Sequence, residues 1–333
     1  MHLNMTRSAP VTLALTGDVM LGRLMRDVVH AHGPAYPWGD VLPMLRAADM
    51  RIINLECVIA ANGAPWTRTP KVFHFRADPI AIETLQAAAI DCIVLANNHV
   101  LDYEEPALEE MIRRLDKAGI SHTGAGHNLT EAFQPALLER QGVRIAVVAF
   151  TDNQPEWAAT PTSPGVAFVQ PGSSGKGVET LMQALDEARS NADVLICSAH
   201  WGPNMRQRPP AHFREFAYQL IDRGVDLVHG HSAHIVQGIE IYQGKPILYD
   251  TGDFVDDYAV DPTLRNDRSF LFRITIQGGK ITSLEMLPTL IHQFQVNPAT
   301  GEDARETCST MCRLSAELGT NLEEWDQGLR LLL

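Results

Sequence analysis

Short, almost wholly apolar runs alternate along the chain with longer stretches whose apolar residues recur at helical spacing. The runs Val11–Thr16, Arg51–Asn54, Ile93–Ala96, Arg144–Phe150, Val194–Ala199, Val225–His229 and Ile247–Tyr249 predict strands. Between them, Asp40–Ala48, Pro79–Ala89, Glu105–Ala118, Gly177–Ser190 and Ala211–Arg223 predict helices, several opened by Asp, Ser or Pro caps and closed by Gly, as at Gly119 and Gly224. Strands that are apolar on both faces must be covered on both, so the alternation predicts an α/β fold with helices outside the sheets. From Gln237 to Pro288 the pattern changes to alternating strands, Gly238–Tyr242, Ser269–Ile276 and Lys280–Pro288. Turn signals such as Gln277-Gly278-Gly279 join them in antiparallel fashion. The tail Gly301–Leu333 predicts one or two peripheral helices of the same domain. The Pro/Ser/Gly-rich stretch Pro155–Gly177 predicts a lid or rim rather than a domain boundary.

Composition narrows the function classes. The chain has 333 residues, 45% of them hydrophobic, enough for one large core. A formal net charge of -13 would repel a phosphate backbone, so nucleic-acid binding is not expected. No run approaches the roughly 18–20 apolar residues that span a bilayer. Met1–Pro10 has no apolar signal core, so no membrane anchor and a cytoplasmic location are expected. The five cysteines are scattered and odd in number, and Cys57, Cys92 and Cys197 sit in apolar runs, which reads as reduced core thiols. Cys308 and Cys312 lack further ligands nearby. Gly172–Gly177 fails the spacing of a phosphate loop, and no Gly-x-Ser-x-Gly elbow is present.

Chemistry gathers at the ends of the strands. The first run leads into Gly17-Asp18, the second into Asn54-Leu55-Glu56, the third into Asn97-Asn98-His99. The later ones end in His200-Trp201 and in His229-Gly230-His231-Ser232-Ala233-His234, and five of the 13 histidines fall in these segments. The C-terminal edge of an α/β sheet is where loops and helix N-termini converge and active sites form. Imidazole, carboxylate and an Asn carbonyl together suit manganese, zinc or iron. Such an ion lowers the pKa of bound water or polarises a phosphoryl or carbonyl oxygen. Asp18, Glu56, Asn98, His200, His231 and His234 are therefore the expected ligands.

These residues, within "LTGDVMLGR", "INLECVI", "FHFRADP", "LANNHVLDY", "AHWG", "GHSAHIVQGIE" and "ILYDTGDFVDDY", resemble the CapA, or poly-γ-glutamate synthesis, family of the calcineurin-like metallophosphoesterase superfamily. The resemblance implies a four-layer α-β-β-α sandwich of the metallo-dependent phosphatase type over residues 1–300. It implies that Asp18 and His234 hold one divalent ion and that Asn98, His200 and His231 hold a second, with Glu56 bridging. His99, with Asp18, would be catalytic, as general acid or phosphate ligand. Three departures stand out: Met20 occupies the histidine position of the superfamily's first motif, Asn54-Leu55-Glu56 replaces Gly-Asp, and the second histidine of the last motif comes one place later. The first removes a ligand, so one ion or two are compatible. Gly252-Asp253-Phe254 stands where relatives have Gly-Asn-Phe. Asn54, Asn97, Trp201, Asp253 and His292 are the candidate substrate contacts.

The resulting expectation is a metal-dependent hydrolase of a phosphoester or a γ-glutamyl or peptide amide, linked to poly-γ-glutamate or capsule biosynthesis. Its partner would be a small-molecule, peptide or polymer substrate. Two alternatives are a metal-dependent peptide Cα-epimerase, with Asp18 and His292 as opposed bases, and a non-catalytic polymer- or partner-binding component. Trp38, Trp66, Trp157 and Trp201, in loops near the motifs, either line the pocket or cap the core.

Overall fold

The computed structural model describes residues 9–333. The first eight residues, on which the signal-peptide reading chiefly rests, lie outside it. Two mixed sheets face one another. The larger runs in the order Glu323–Trp325, Gly328–Leu332, Lys280–His292, Arg268–Gln277, Val11–Val19, Met50–Leu55, Cys92–Val94, Ser121–Thr123, with Asp253–Val255 also beside Val11–Val19 and Gln295–Pro298 beside Lys280–His292. The smaller runs Ile239–Tyr242, Lys245–Leu248, Leu227–His231, Val194–His200, Val143–Thr151, Ala136–Arg140.

Apolar side chains explain the layering. Leu13, Leu15, Ile52 and Val94 of one sheet meet Val147, Ile196 and Leu227 of the other in the central core. The outer face of the larger sheet, with Ile53, Leu55 and Ile93, buries against Met25, Leu85, Leu108 and Met111. These project from helices Arg23–His32, Ala81–Ala87 and Glu104–Ala118. On the other side Val148, Leu195 and Val228 bury against Leu181, Leu185, Phe216 and Leu220 of helices Lys176–Asn191 and Ala211–Asp222. The chain is thus the four-layer α-β-β-α sandwich that the family resemblance implies.

The strands bearing the motifs are parallel within each sheet, so their C-terminal ends share an edge. Two glycines let the chain close up there. A Cβ on Gly17 would lie 1.8 Å from the Gly252 carbonyl oxygen, and one on Gly230 would lie 2.0 Å from that of Tyr249.

Several expectations are corrected. Ile239–Tyr242 pairs with Lys245–Leu248 in the smaller sheet, not with the long hairpin Arg268–His292. The tail is one helix, Gly301–Ala316, followed by two strands that extend the larger sheet through Met286 opposite Leu329. Helix Arg23–His32 was not foreseen, because only Met25 and Val29 are buried and the apolar stripe is short. The expected Asp and Ser caps do not bond the helix starts; the side-chain cap among the described helices is Asn128, accepting from the Glu131 N–H. All five cysteines are free, as expected. No helix among the described residues is long and apolar enough to cross a membrane.

Candidate metal centre and cavity

Register builds the site. Asp18 stands opposite Asn54 on one neighbouring strand and Asp253 on the other. In the second sheet His200 stands opposite His231. Where the two sheet edges meet, these side chains form two groups of potential ligands. Asp18, His200 and His231 make one; Asp18, Glu56, His234 and Asp253 make the other. Asp18 is shared, the place the resemblance gave to Glu56. His234 Nδ1 lies 3.4 Å from Asp18 Oδ2, 3.9 Å from Glu56 Oε2 and 2.8 Å from Asp253 Oδ1.

The His200 ring is flanked on both nitrogens. Nδ1 lies 2.8 Å from His231 Nδ1 and 4.0 Å from Asp18 Oδ1. Nε2 lies 2.9 Å from Asn98 Oδ1 and 3.8 Å from Glu56 Oε1. Asn98 and His231 therefore sit on opposite sides of the ring and face different nitrogens of it. His231 turns its other nitrogen to Ser198 Oγ at 2.9 Å, and His229 Nε2 donates to the Thr16 carbonyl at 2.9 Å. His229 is thereby a supporting residue.

The donor set suits a divalent cation. Asp18 Oδ2, Glu56 Oε1 and Asp253 Oδ2 are buried without a hydrogen-bond partner among the described residues. Buried carboxylate oxygens left bare are costly, and a cation satisfies them. Burial pushes the Asp18 carboxyl up to about 6, against the pull of His234 and Asn54. Burial, then the neighbouring Asp18, raises Glu56 well above the usual range. Burial and Asp256 do the same to Asp253. Burial lowers His200 and His231 far below the usual imidazole value, leaving both neutral, the form that binds metals. For His234 burial opposes the charge, but Glu56 and Asp18 outweigh it and its pKa is raised. Met20 is buried, and its sulfur accepts the Gly22 N–H at 3.0 Å, so it supplies no ligand. Asp253 brings a carboxylate into the group that Met20 leaves short.

Beside this cluster His99 is held from both sides. Its Nδ1 lies 2.6 Å from Asp102 Oδ2, while Nε2 faces Glu56 Oε1 at 3.9 Å. Phe75 stacks on the ring, centroids 3.9 Å apart. Asp102 also accepts the Phe75 N–H at 2.6 Å and pairs with Lys71 at 3.2 Å. Lys71 donates in turn to the Asn98 carbonyl at 2.7 Å. The cluster opens into a cavity of about 650 Å³ whose lining includes His99, His234, Asn98, Tyr258, Arg23 and Phe73. Four of its lining residues, Arg23, Gln154, Met205 and His234, have φ between 51° and 61° without being glycine. Such strain concentrates where function over-determines the backbone.

Among the expected residues, Asp18, Glu56, Asn98, His99, His200, His231 and His234 come together. Asp253, expected to touch substrate, joins the ligand cluster. Asn54 and Asn97 are buried scaffolding: Asn54 Nδ2 donates to Asp18 at 2.7 Å, and Asn97 Nδ2 donates to Asn54 Oδ1 and to the Leu55 carbonyl. Trp201 is no substrate contact. It stacks on Phe213 at 4.9 Å and donates to the Tyr249 carbonyl, within the core. Trp38, Trp66 and Trp157 are buried as well, so the tryptophans cap the core. His292 is exposed at the end of its strand, in a neighbouring cleft with Asp256, Asp257 and Phe294 that meets the cavity at Tyr258 and Asn266. Sequence reasoning did not single out Asp102, Lys71 or Tyr258, whose hydroxyl donates to Glu56 Oε2 at 3.2 Å. Their only signal is position within the "LANNHVLDY" and "DDY" segments and just before "FHFRADP".

A family model described as bacterial capsule synthesis protein PGA_cap matches residues 12–258. The chain belongs to this family. Within it, a probable polyglutamine synthesis accessory protein of Mycobacterium tuberculosis is 34% identical, over 93% of this chain and 92% of that protein. The capsule biosynthesis protein CapA of Bacillus anthracis is 27% identical, over 87% of this chain and 70% of its own length. Among solved structures, the PGA_cap chain is similar to a putative 5'-nucleotidase from Staphylococcus aureus, with a TM-score of 0.48 and 13% identity over 90% of this chain and 57% of that one.

Proposed function

We propose that this PGA_cap protein is a metal-dependent hydrolase of a peptide or γ-glutamyl amide or of a phosphoester, serving capsule or poly-γ-glutamate biosynthesis as its relatives' names suggest. The observation that carries the reading is His99, tied at Nδ1 to Asp102 while Nε2 faces the carboxylate cluster at the cavity floor. Asp18, Glu56, His234 and Asp253 would hold one divalent ion, and Asp18, His200 and His231 a second. Manganese, zinc or iron suits these donors. When bound, such an ion supplies Lewis acidity and makes water a nucleophile near neutral pH.

The protein's own groups do the rest. Donation from Nδ1 to Asp102 leaves Nε2 of His99 able to accept a proton from the attacking water and return it to the leaving atom. Lys71 offsets the buried charge of Asp102, and Phe75 fixes the ring plane. Tyr258 orients Glu56. The epimerase reading loses support, because His292, its second base, is not among the cavity residues. A cytoplasmic setting, with no nucleic-acid partner, accompanies the proposal.

The test is reconstitution. Protein stripped of metal, then reloaded with manganese, zinc or iron, is assayed on p-nitrophenyl phosphate, a γ-glutamate oligomer and blocked peptides. Hydrolysis returning with metal, and disappearing in His200→Ala, is expected. Full activity in thoroughly stripped protein would overturn the reading.

A further inference from the structure

The charges around the cavity do not follow those of the chain. The protein carries a net charge of -13, yet no carboxylate lines the cavity wall among the described residues; the fixed charges there are Lys71 and Arg23. The carboxylates lie beneath, in the cluster whose divalent ions would neutralise them. Lys71 is committed, to Asp102 at 3.2 Å and to the Asn98 carbonyl at 2.7 Å. Arg23 is the cation left to meet a ligand.

Arg23 opens the helix Arg23–His32, the end at which the helix dipole disfavours a cation. Its φ of 51° is a left-handed value that residues other than glycine seldom adopt. Both features are costs, and backbone strain kept at a cavity points to function. The guanidinium lies over the rings of Phe75 and Phe73, 5.6 and 5.8 Å from their centres. Phe75 also stacks on His99, so the cation stands one ring away from the proton carrier. At the guanidinium edge Nε pairs with Asp257 Oδ1 at 3.4 Å, and the other oxygen of that carboxylate accepts the Leu24 N–H at 2.8 Å. The terminal amino groups donate no hydrogen bond to another described residue, and 36% of the side chain is open to solvent. A guanidinium held by its face, with N–H donors left at its edge, is shaped for a planar carboxylate or a phosphate.

Resting on the hydrolase reading above and extending it to the ligand, we propose that Arg23 binds an oxyanion of the substrate, a carboxylate or a phosphate standing beside the bond presented to the metal cluster. It is the specificity-determining residue of the cavity.

The experiment measures binding, so that turnover is not assumed. Manganese-loaded protein is titrated calorimetrically with two matched pairs: N-acetyl-γ-glutamylglutamate with its carboxamide counterpart, and glycerol 3-phosphate with glycerol. The anionic member of at least one pair should bind about tenfold or more tighter than its neutral partner. In Arg23→Gln that ratio should fall about tenfold or more, the loss of one charge-assisted hydrogen bond. The pair that responds identifies the oxyanion as carboxylate or phosphate. Bound manganese and the melting temperature should stay at the parental level. Arg26→Gln removes the same charge from an exposed position on the same helix and should keep the ratio. No preference for either anion, a ratio that survives Arg23→Gln, an equal fall in Arg26→Gln, or loss of manganese in Arg23→Gln would each overturn the proposal. Arg23-dependent binding of anions that are never cleaved would remove the hydrolase reading and leave this one standing. Hydrolysis with an unaltered KM in Arg23→Gln would do the reverse.

Discussion

His200 and His231 stand in register on adjacent parallel strands, their Nδ1 atoms 2.8 Å apart and both within 4.0 Å of Asp18 Oδ1. Two neutral imidazoles at that distance share the room for one proton, and a cation can take its place. Replacing either histidine by alanine should lower cation affinity by more than the roughly 10–100-fold lost when only a supporting residue is changed. Elemental analysis after dialysis, with calorimetric titration of manganese or zinc, measures this. Unchanged affinity in both variants would remove the pair from the ligand set.

Asp18 should contribute a pH dependence of unusual direction to the stability of the metal-free protein. Asp18 titrates at about 6 in the fold, against 3.8 when exposed, because it is buried. Between those values the folded state keeps a proton that the unfolded chain has released, so stability is highest below the lower value and falls as pH rises towards about 6. The fall from this one group is about 3 kcal/mol. The buried neutral His200 and His231 pull the other way over the same range, so the test is the difference between stripped parent and stripped Asp18→Asn. Their thermal unfolding between pH 4 and 7 should diverge, the parent losing stability relative to the variant as pH rises, and parallel curves would contradict the assignment.

Asp102→Asn separates proton transfer from metal binding. The amide cannot hold His99 as the carboxylate does at 2.6 Å. Turnover should drop by about 10²–10⁴, the usual worth of a positioned acid–base group. Bound metal should stay at the parental level. Loss of metal along with activity would instead make Asp102 a prop of the whole cluster.

Gly17→Ala tests the close approach beneath the site. The added methyl would meet the Gly252 carbonyl oxygen at 1.8 Å, and backbone cannot yield as a side chain does. A loss of about 1–3 kcal/mol or more is expected from urea unfolding, with weakened cation binding because Asp18 and Asp253 flank the clash. Gly142→Ala, with open space around the added atom, is the control at a loop; there only the positive φ of 79° resists the change.

The helix-covered α/β sheets and the strand-end cluster were legible because both are written in local pattern, while the four-layer sandwich came from the family resemblance. Apolar runs mark parallel strands, and a chemical residue directly after such a run must fall on the shared edge. What stayed hidden depends on distant partners. Nothing in Ile239–Tyr242 says that it folds back on Lys245–Leu248, since alternation gives a face and not a neighbour. Trp201 follows a ligand strand and so looked like a pocket residue, yet Phe150 and Tyr249, from strands remote in the chain, enclose it together with Phe213. Asp102 and Lys71 are 31 positions apart and meet only because the segment between strands folds over the cavity. The Asn98–His231 split likewise follows from the orientation of one imidazole ring, which spacing does not encode.

Asp102 has one more consequence. Its side chain binds His99, Lys71 and the Phe75 N–H, and its backbone carbonyl accepts the Trp66 N–H at 2.8 Å. Three of these four ties come from the 66–75 segment at the cavity mouth. Lifting that segment would strip Asp102 of its counter-ion and two donors together and loosen the imidazole it steadies. One carboxylate thus ties the imidazole of His99 to the segment that borders the cavity, so a substitution in residues 66–75 would be felt at His99 without touching it.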